Sequence, residues 1–77
     1  MVRAYVMIMT TTGSSPSVVS TLRDIEAVER ADIVAGEFDI IVLIAGGSPQ
    51  ELLTVVTEEI HAIEGVAQTR TSIILET

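Results

Sequence analysis

Apolar and polar positions alternate along this chain with two periods, and the switches between them mark out six segments. Val2 to Thr10 is rich in β-branched and apolar residues and reads as a strand, followed by the loop-forming polar run from Thr10 to Ser15. Ser15 before Pro16 predicts a helix start, with Ser15 as N-cap and the proline in the first turn. Val18, Leu22, Ile25 and Val28 then recur at helical spacing, which predicts a first helix from Pro16 to Val28. A short strand over Ala31 to Ala35 meets the tight connection Gly36-Glu-Phe-Asp39, and the strongly β-forming Ile40 to Ala45 completes a hairpin. Gly46-Gly47 ends that strand. Ser48-Pro49-Gln50-Glu51 reads as a capping box, the strongest local signal in the chain. Leu52, Val56, Ile60 and Ile63 trace one face of a second helix that stops at Gly65, and a last strand runs from Val66 to Leu75.

The order β-α-β-β-α-β predicts an α+β, ferredoxin-like fold, in which a four-stranded antiparallel sheet carries both helices on one face. A weak internal echo, Ile25-Glu-Ala-Val-Glu29 against Ile60-His-Ala-Ile-Glu64, fits two related halves.

With helices on one face only, the other face of a monomer meets water, and its strands then alternate apolar with polar residues. These strands do not. Val2, Ala4, Val6 and Ile8 form one set in the first strand, but Tyr5, Met7 and Met9 lie in the other. Ile40, Val42 and Ile44 in the third strand are likewise opposed by Ile41, Leu43 and Ala45. An apolar face of that breadth exceeds what soluble monomers tolerate, so a second copy is expected to dock on it, sheet against sheet, about a two-fold axis.

Composition points the same way. Seventy-seven residues are expected to form one domain, 1–77, and so short a chain buries a limited share of its surface and needs a staple. Cysteine is absent and His61 is the lone histidine, so disulfides and metal sites are not expected and self-association remains. The longest apolar run, Ile40 to Ala45, is far too short for a membrane span, and no signal-peptide pattern is present, so a cytoplasmic location is expected. The net charge of −7, with Arg3, Arg23, Arg30 and Arg70 as the whole basic inventory, argues against nucleic acid and anionic membranes as direct partners.

Candidate chemistry is sparse. No nucleophile elbow, metalloprotease motif, phosphate loop or dinucleotide-binding glycine pattern occurs, and no cofactor is expected. His61, near a helix C-terminus, reads as a solvent-facing or dipole-stabilised side chain. In Gly36-Glu-Phe-Asp39 the glycine can take positive φ and free backbone N–H groups for a carboxylate, and Asp39 can receive an ammonium group. The same four residues read equally as a plain hairpin turn with a solvated aspartate. Thr69, Thr71 and Ser72 offer hydroxyls on the last strand, where threonine is also simply a good strand former.

Taken in order, Arg3-Ala-Tyr-Val-Met-Ile-Met9, the helix Val19 to Val28, Ile33-Val-Ala-Gly-Glu-Phe-Asp-Ile-Ile-Val42, the helix Leu52 to Ile63, and Gly65-Val66 leading to Thr69-Arg-Thr71 resemble a known domain. It is the C-terminal effector-binding domain of the Lrp/AsnC family of feast/famine regulators, the RAM domain. Full-length members carry a helix-turn-helix domain before the first strand, whereas this sequence opens on the strand, so it looks like a stand-alone RAM protein to which DNA binding is not carried over. The resemblance implies dimers paired through their sheets, assembled into octamers or decamers, with an amino-acid effector bound between dimers. It places Gly36, Glu37, Phe38 and Asp39 on the hairpin side of the pocket and Thr69 and Thr71 on the other. Asp39 would hold the ligand's amino group and amides near Gly36 its carboxylate, while Phe38 replaces a frequent tyrosine. It also implies mixing with full-length regulators of the family. The rival readings are a small enzyme of the dimeric α+β-barrel type, for which one Phe, one Tyr and one His leave little material, and an ACT-like module or a purely structural oligomer.

Overall fold

The two most apolar segments of the chain become neighbours at the centre of the sheet. In the computed structural model, which describes residues 1–75, strands β1 (Val2–Thr10), β2 (Val28–Ile33), β3 (Ile40–Gly46) and β4 (Val66–Ile73) form one antiparallel sheet in the order β2-β3-β1-β4. Helix α1 (Ser15–Arg23) joins β1 to β2. Helix α2 (Pro49–Thr54), continued by a π-helical stretch (Val55–Ile60), joins β3 to β4. This is the ferredoxin-like arrangement read from the sequence.

The period of two in each strand decides what is buried. Ala4, Val6 and Ile8 of β1 and Ile40, Val42 and Ile44 of β3 are fully buried, and Val18, Val19 and Leu22 of α1 with Leu52, Val55, Val56 and Ile60 of the second helical segment complete the core. No polar or charged side chain is buried among the described residues. Arg23, at the end of α1, donates from Nε (3.2 Å) and Nη2 (2.9 Å) to the Ala31 carbonyl, which fastens the helix to the edge strand β2.

Several boundaries differ from expectation. Helix α1 starts one residue early, at Ser15, with Ser14 as its N-cap, whose side chain makes no capping bond. It ends at Arg23 instead of Val28, because Asp24 and Ile25 bond back three residues, to Thr21 and Leu22, and tighten the last turn. Val28, expected on the helix, instead opens β2 opposite Ile44, so that strand runs Val28–Ile33 in place of Ala31–Ala35. Strand β4 ends at Ile73. The second helix is not continuous α-helix: the His61 N–H bonds to the Val56 carbonyl five residues back, which inserts one residue into the turn. Leu52, Val55, Val56 and Ile60 of this segment all face the core.

The capping box forms in a shifted version. Ser48 Oγ accepts from the Glu51 N–H at 3.2 Å, and the Glu51 carboxylate reaches back to the amide of Gly47, one residue before the cap. A Cβ on Gly47 would lie 2.9 Å from that carboxylate oxygen, so the glycine makes room for the contact.

The internal repeat is sharper in three dimensions than in sequence, and offset from the five-residue echo. Ile25 bonds to Leu22 and Val28 to Ile25 as the chain leaves α1, and Ile63 bonds to Ile60 and Val66 to Ile63 in the same way after the π-helical stretch. Each turn then docks on a central strand, the Ala27 carbonyl accepting from the Ala45 N–H and the Gly65 carbonyl from the Thr11 N–H.

Two substitutions test this packing by chemical denaturation. Ile8→Ala is expected to cost about 2–5 kcal/mol, as for a fully buried isoleucine at the centre of a sheet. Gly65→Ala is expected to cost more than about 1 kcal/mol, because φ is +104° there and the added Cβ would sit 2.9 Å from Ser14 Cβ and Val18 Cγ2.

Candidate functional site

The hairpin between β2 and β3 is held by its last residue. The Val34 N–H donates to the Asp39 carbonyl (2.9 Å) and the Asp39 N–H to the Ile8 carbonyl (2.9 Å), so the loop closes on itself and onto β1 together. The Asp39 side chain adds a second tie: Oδ2 accepts from the Thr10 N–H at 2.8 Å and from its hydroxyl at 3.3 Å. Thr10 Oγ1 in turn lies 2.7 Å from Ser15 Oγ at the start of α1. Asp39 is therefore a structural anchor as well as a candidate ligand contact, a role the sequence reading did not include.

Gly36 and Glu37 are exposed on this loop and Phe38 is half-buried. The positive φ expected at Gly36 is not adopted, since among the described residues only Gly13 and Gly65 have it. Four residues between Val34 and Asp39 reverse the chain without a left-handed step, and nothing crowds the place of a Cβ at Gly36. The amides of Gly36, Glu37 and Phe38 nonetheless take no backbone partner among the described residues, which leaves them available to an anion.

Thr69 and Thr71 lie on the helix-facing side of β4, opposite Ile8 and Val6. Thr69 occupies the same row of the sheet as Ile40 and Ile8, next to Asp39, whereas Thr71 is one pair further away, about 7 Å along the strand. Within one subunit β1 separates the hairpin from β4 by two strand spacings, about 10 Å. Asp39 and Thr69 thus gather at one end of the sheet without closing a pocket between them. Thr10 stands opposite Val66 across a β-bulge, because Met9 pairs with Gln68 and Ala67 is left over.

His61, read from the sequence as a solvent-facing or dipole-stabilised side chain, is exposed and has a partner which that reading did not include. Its Nε2 lies 2.7 Å from Thr69 Oγ1, and it lines a groove with Val66, Ala67, Gln68 and Thr69. The two partners are eight residues apart with the Gly65 turn between them, so no periodicity in the sequence pairs them.

The sheet face away from the helices is divided by strand. Tyr5, Met7 and Met9 of β1 and Ile41, Leu43 and Ala45 of β3 share it, with Tyr5 46% and Ile41 37% exposed, values high for such large apolar residues. The edge strands add Arg30 and Asp32 on one side and Gln68, Arg70 and Ser72 on the other. An apolar centre with a polar rim results. Arg30 Nε lies 2.6 Å from Asp32 Oδ2, and Arg3 Nε lies 2.7 Å from Glu29 Oε1. The Arg3 hydrogen bond holds the Glu29 carboxyl below its usual range, and Glu29 raises Arg3 in return. Three arginines scattered in sequence, Arg3, Arg30 and Arg70, share this one face from three different strands.

Among the described residues no helix is long and apolar enough to cross a membrane, and no group of three or more acidic, histidine or cysteine side chains is placed to hold a metal ion.

Solved structures with this fold are numerous. A protein from Thermus thermophilus, TTHA0845, is 26% identical with a TM-score of 0.95, the match covering 100% of this chain and 96% of that one. FFRP-DM1 is 29% identical with a TM-score of 0.92, covering 97% of this chain and 100% of the other. A transcriptional regulator from Neisseria meningitidis, NMB0573, solved as its L-Met complex, shares the fold at 14% identity and a TM-score of 0.87, over 97% of this chain and 50% of that one. The comparison with curated proteins found no match. The family model described as the Lrp/AsnC ligand binding domain matches residues 3–77, and the chain belongs to that family.

Proposed function

We propose that residues 1–77 act as one effector-binding regulatory unit, not an enzyme, which takes an amino acid at a seam between copies of the chain in the cytoplasm. Copies pair through their open sheet faces, the pairs assemble into octamers or decamers, and the assembly modulates full-length regulators of the same family. The observation that carries this reading is the chemistry of the hairpin. Asp39 offers a carboxylate and the loop offers three uncommitted amides, the complements of the ammonium and carboxylate ends of one amino acid. The hairpin and Thr69 lie at one end of the sheet with β1 between them, so Gly36, Glu37, Phe38 and Asp39 of one pair facing Thr69 and Thr71 of another is the way we complete the pocket. The L-Met complex of the Neisseria regulator supports the ligand class.

The mechanism follows from differential binding. A ligand that touches two pairs favours whichever assembly brings both halves of its pocket together, so occupancy becomes oligomeric state. Direct nucleic-acid contact is not part of it, since the charge is −7.

Light scattering tests the pairing: the native mass should be at least twice the 8.2 kDa of the chain, and Leu43→Arg, at the centre of the open face, should reduce it to that of one subunit. A monodisperse wild-type monomer at micromolar concentration would refute the pairing. A thermal-shift screen against the common amino acids tests the ligand, because a molecule bound only by the native state raises Tm, by about 2.7 kcal/mol of stability at a hundred times Kd. Asp39→Asn should abolish the shift. That substitution keeps an oxygen to accept from the Thr10 N–H, so it removes the charge with less damage to the hairpin than alanine would cause.

A further inference from the structure

The groove beside the β4 bulge carries hydrogen-bonding capacity that neither the core nor the sheet uses. His61 and Thr69 face one another at 2.7 Å, across the turn that Gly65 makes possible. A neutral imidazole has one N–H and a threonine one O–H, and the bond between them uses one of these two protons. If Nε2 carries the ring proton it donates to Thr69 Oγ1, and the hydroxyl proton is left over. If Nδ1 carries it, the hydroxyl donates to Nε2, and the Nδ1–H is left over. Either tautomer leaves one donor of the pair unspent.

The bulge at Ala67 interrupts the pairing with β1 just before Thr69. The π-helical turn contributes from the other side. With one residue inserted before His61, the ring is rotated relative to a continuous α-helix, and it meets β4. Two local departures from regular structure, one on each element, thus converge on one pair of side chains.

Resting on the proposed effector site, to which Thr69 belongs, we propose that His61 is the specificity-determining residue of that site, which with Thr69 selects an amino acid whose side chain ends in an acceptor oxygen. The main-chain ends of the ligand are held by the hairpin, and the far end lies against the groove. A carboxamide and a carboxylate share the required oxygen. An aliphatic side chain of similar length leaves the donors of the groove unpaired, which penalises it.

The experiment measures Kd by calorimetry for L-glutamine, L-glutamate and L-leucine, three side chains of similar size, on the wild type, on His61→Phe, on His61→Gln and on Asp39→Asn. The better of the first two ligands should bind the wild type at least about tenfold more tightly than L-leucine, the effect of one well-made hydrogen bond. Glutamine against glutamate then tells amide from acid. His61→Phe should bring that ratio to near one, and His61→Gln, which keeps a donor near the position of Nε2, should restore it. The ratio is the deciding quantity because a general loss of structure weakens all three ligands alike. A wild type that prefers L-leucine, or a ratio unmoved by His61→Phe while Asp39→Asn abolishes all binding, overturns the role of His61 and leaves the effector site standing. Absence of binding by every common amino acid sinks both.

Discussion

Everything in this molecule turns on two central strands that are apolar on both sides. β1 and β3 pair from Val2–Gly46 to Ile8–Ile40, and each strand sends alternate residues to opposite faces. One face is covered by α1 and the second helical segment and supplies nearly the whole core. The other face is left to Tyr5, Met7, Met9, Ile41, Leu43 and Ala45. Among the described residues no further element covers it. The apolar stripe follows the two central strands, while the edge strands carry arginine, aspartate, glutamine and serine, so an apolar centre is framed by a polar rim.

The same economy shapes the end of the sheet where the candidate site lies. Each half of the fold leaves its helix by a similar tight turn and docks that turn on the end of a central strand, so the two halves are bonded to each other at both ends of the sheet. At one end Asp39 secures the hairpin to Thr10, and Thr10 faces the bulge of β4. Asp39, which we propose meets a ligand, is therefore held by backbone and side-chain bonds that also hold the fold. The proposed site is completed by adding a neighbour instead of by moving a loop.

Much of the architecture was legible in the sequence because it depends on local alternation. Six elements, their order and the two-sided character of β1 and β3 follow from apolar spacing and from Ser48, Pro49 and Gly65. Boundaries were less legible. Val28 continues the helical spacing of Leu22 and Ile25, yet it belongs to β2, because the tight turn after Arg23 and the pairing with Ile44 outweigh periodicity. The hairpin was recognisable as a candidate, but Gly36 adopts no special conformation and Asp39 has a structural duty that only its Thr10 partner reveals.

What the sequence determined by itself was the set of quantities that depend on near neighbours: strand and helix periods, caps, the absence of cysteine, the net charge, and the excess of apolar residues on both sides of the central strands. What only the tertiary structure decided were the meetings between distant residues. Arg3, Arg30 and Arg70 share the open face, the Ala67 bulge breaks the register of β4, the π-helical turn rotates His61, and His61 thereby reaches Thr69. The physical reason is that strand register and helical phase are set by packing of the whole core. A shift of one residue moves a strand's side chain to the opposite face and turns a helix's by about 100°, and no window of sequence contains that information.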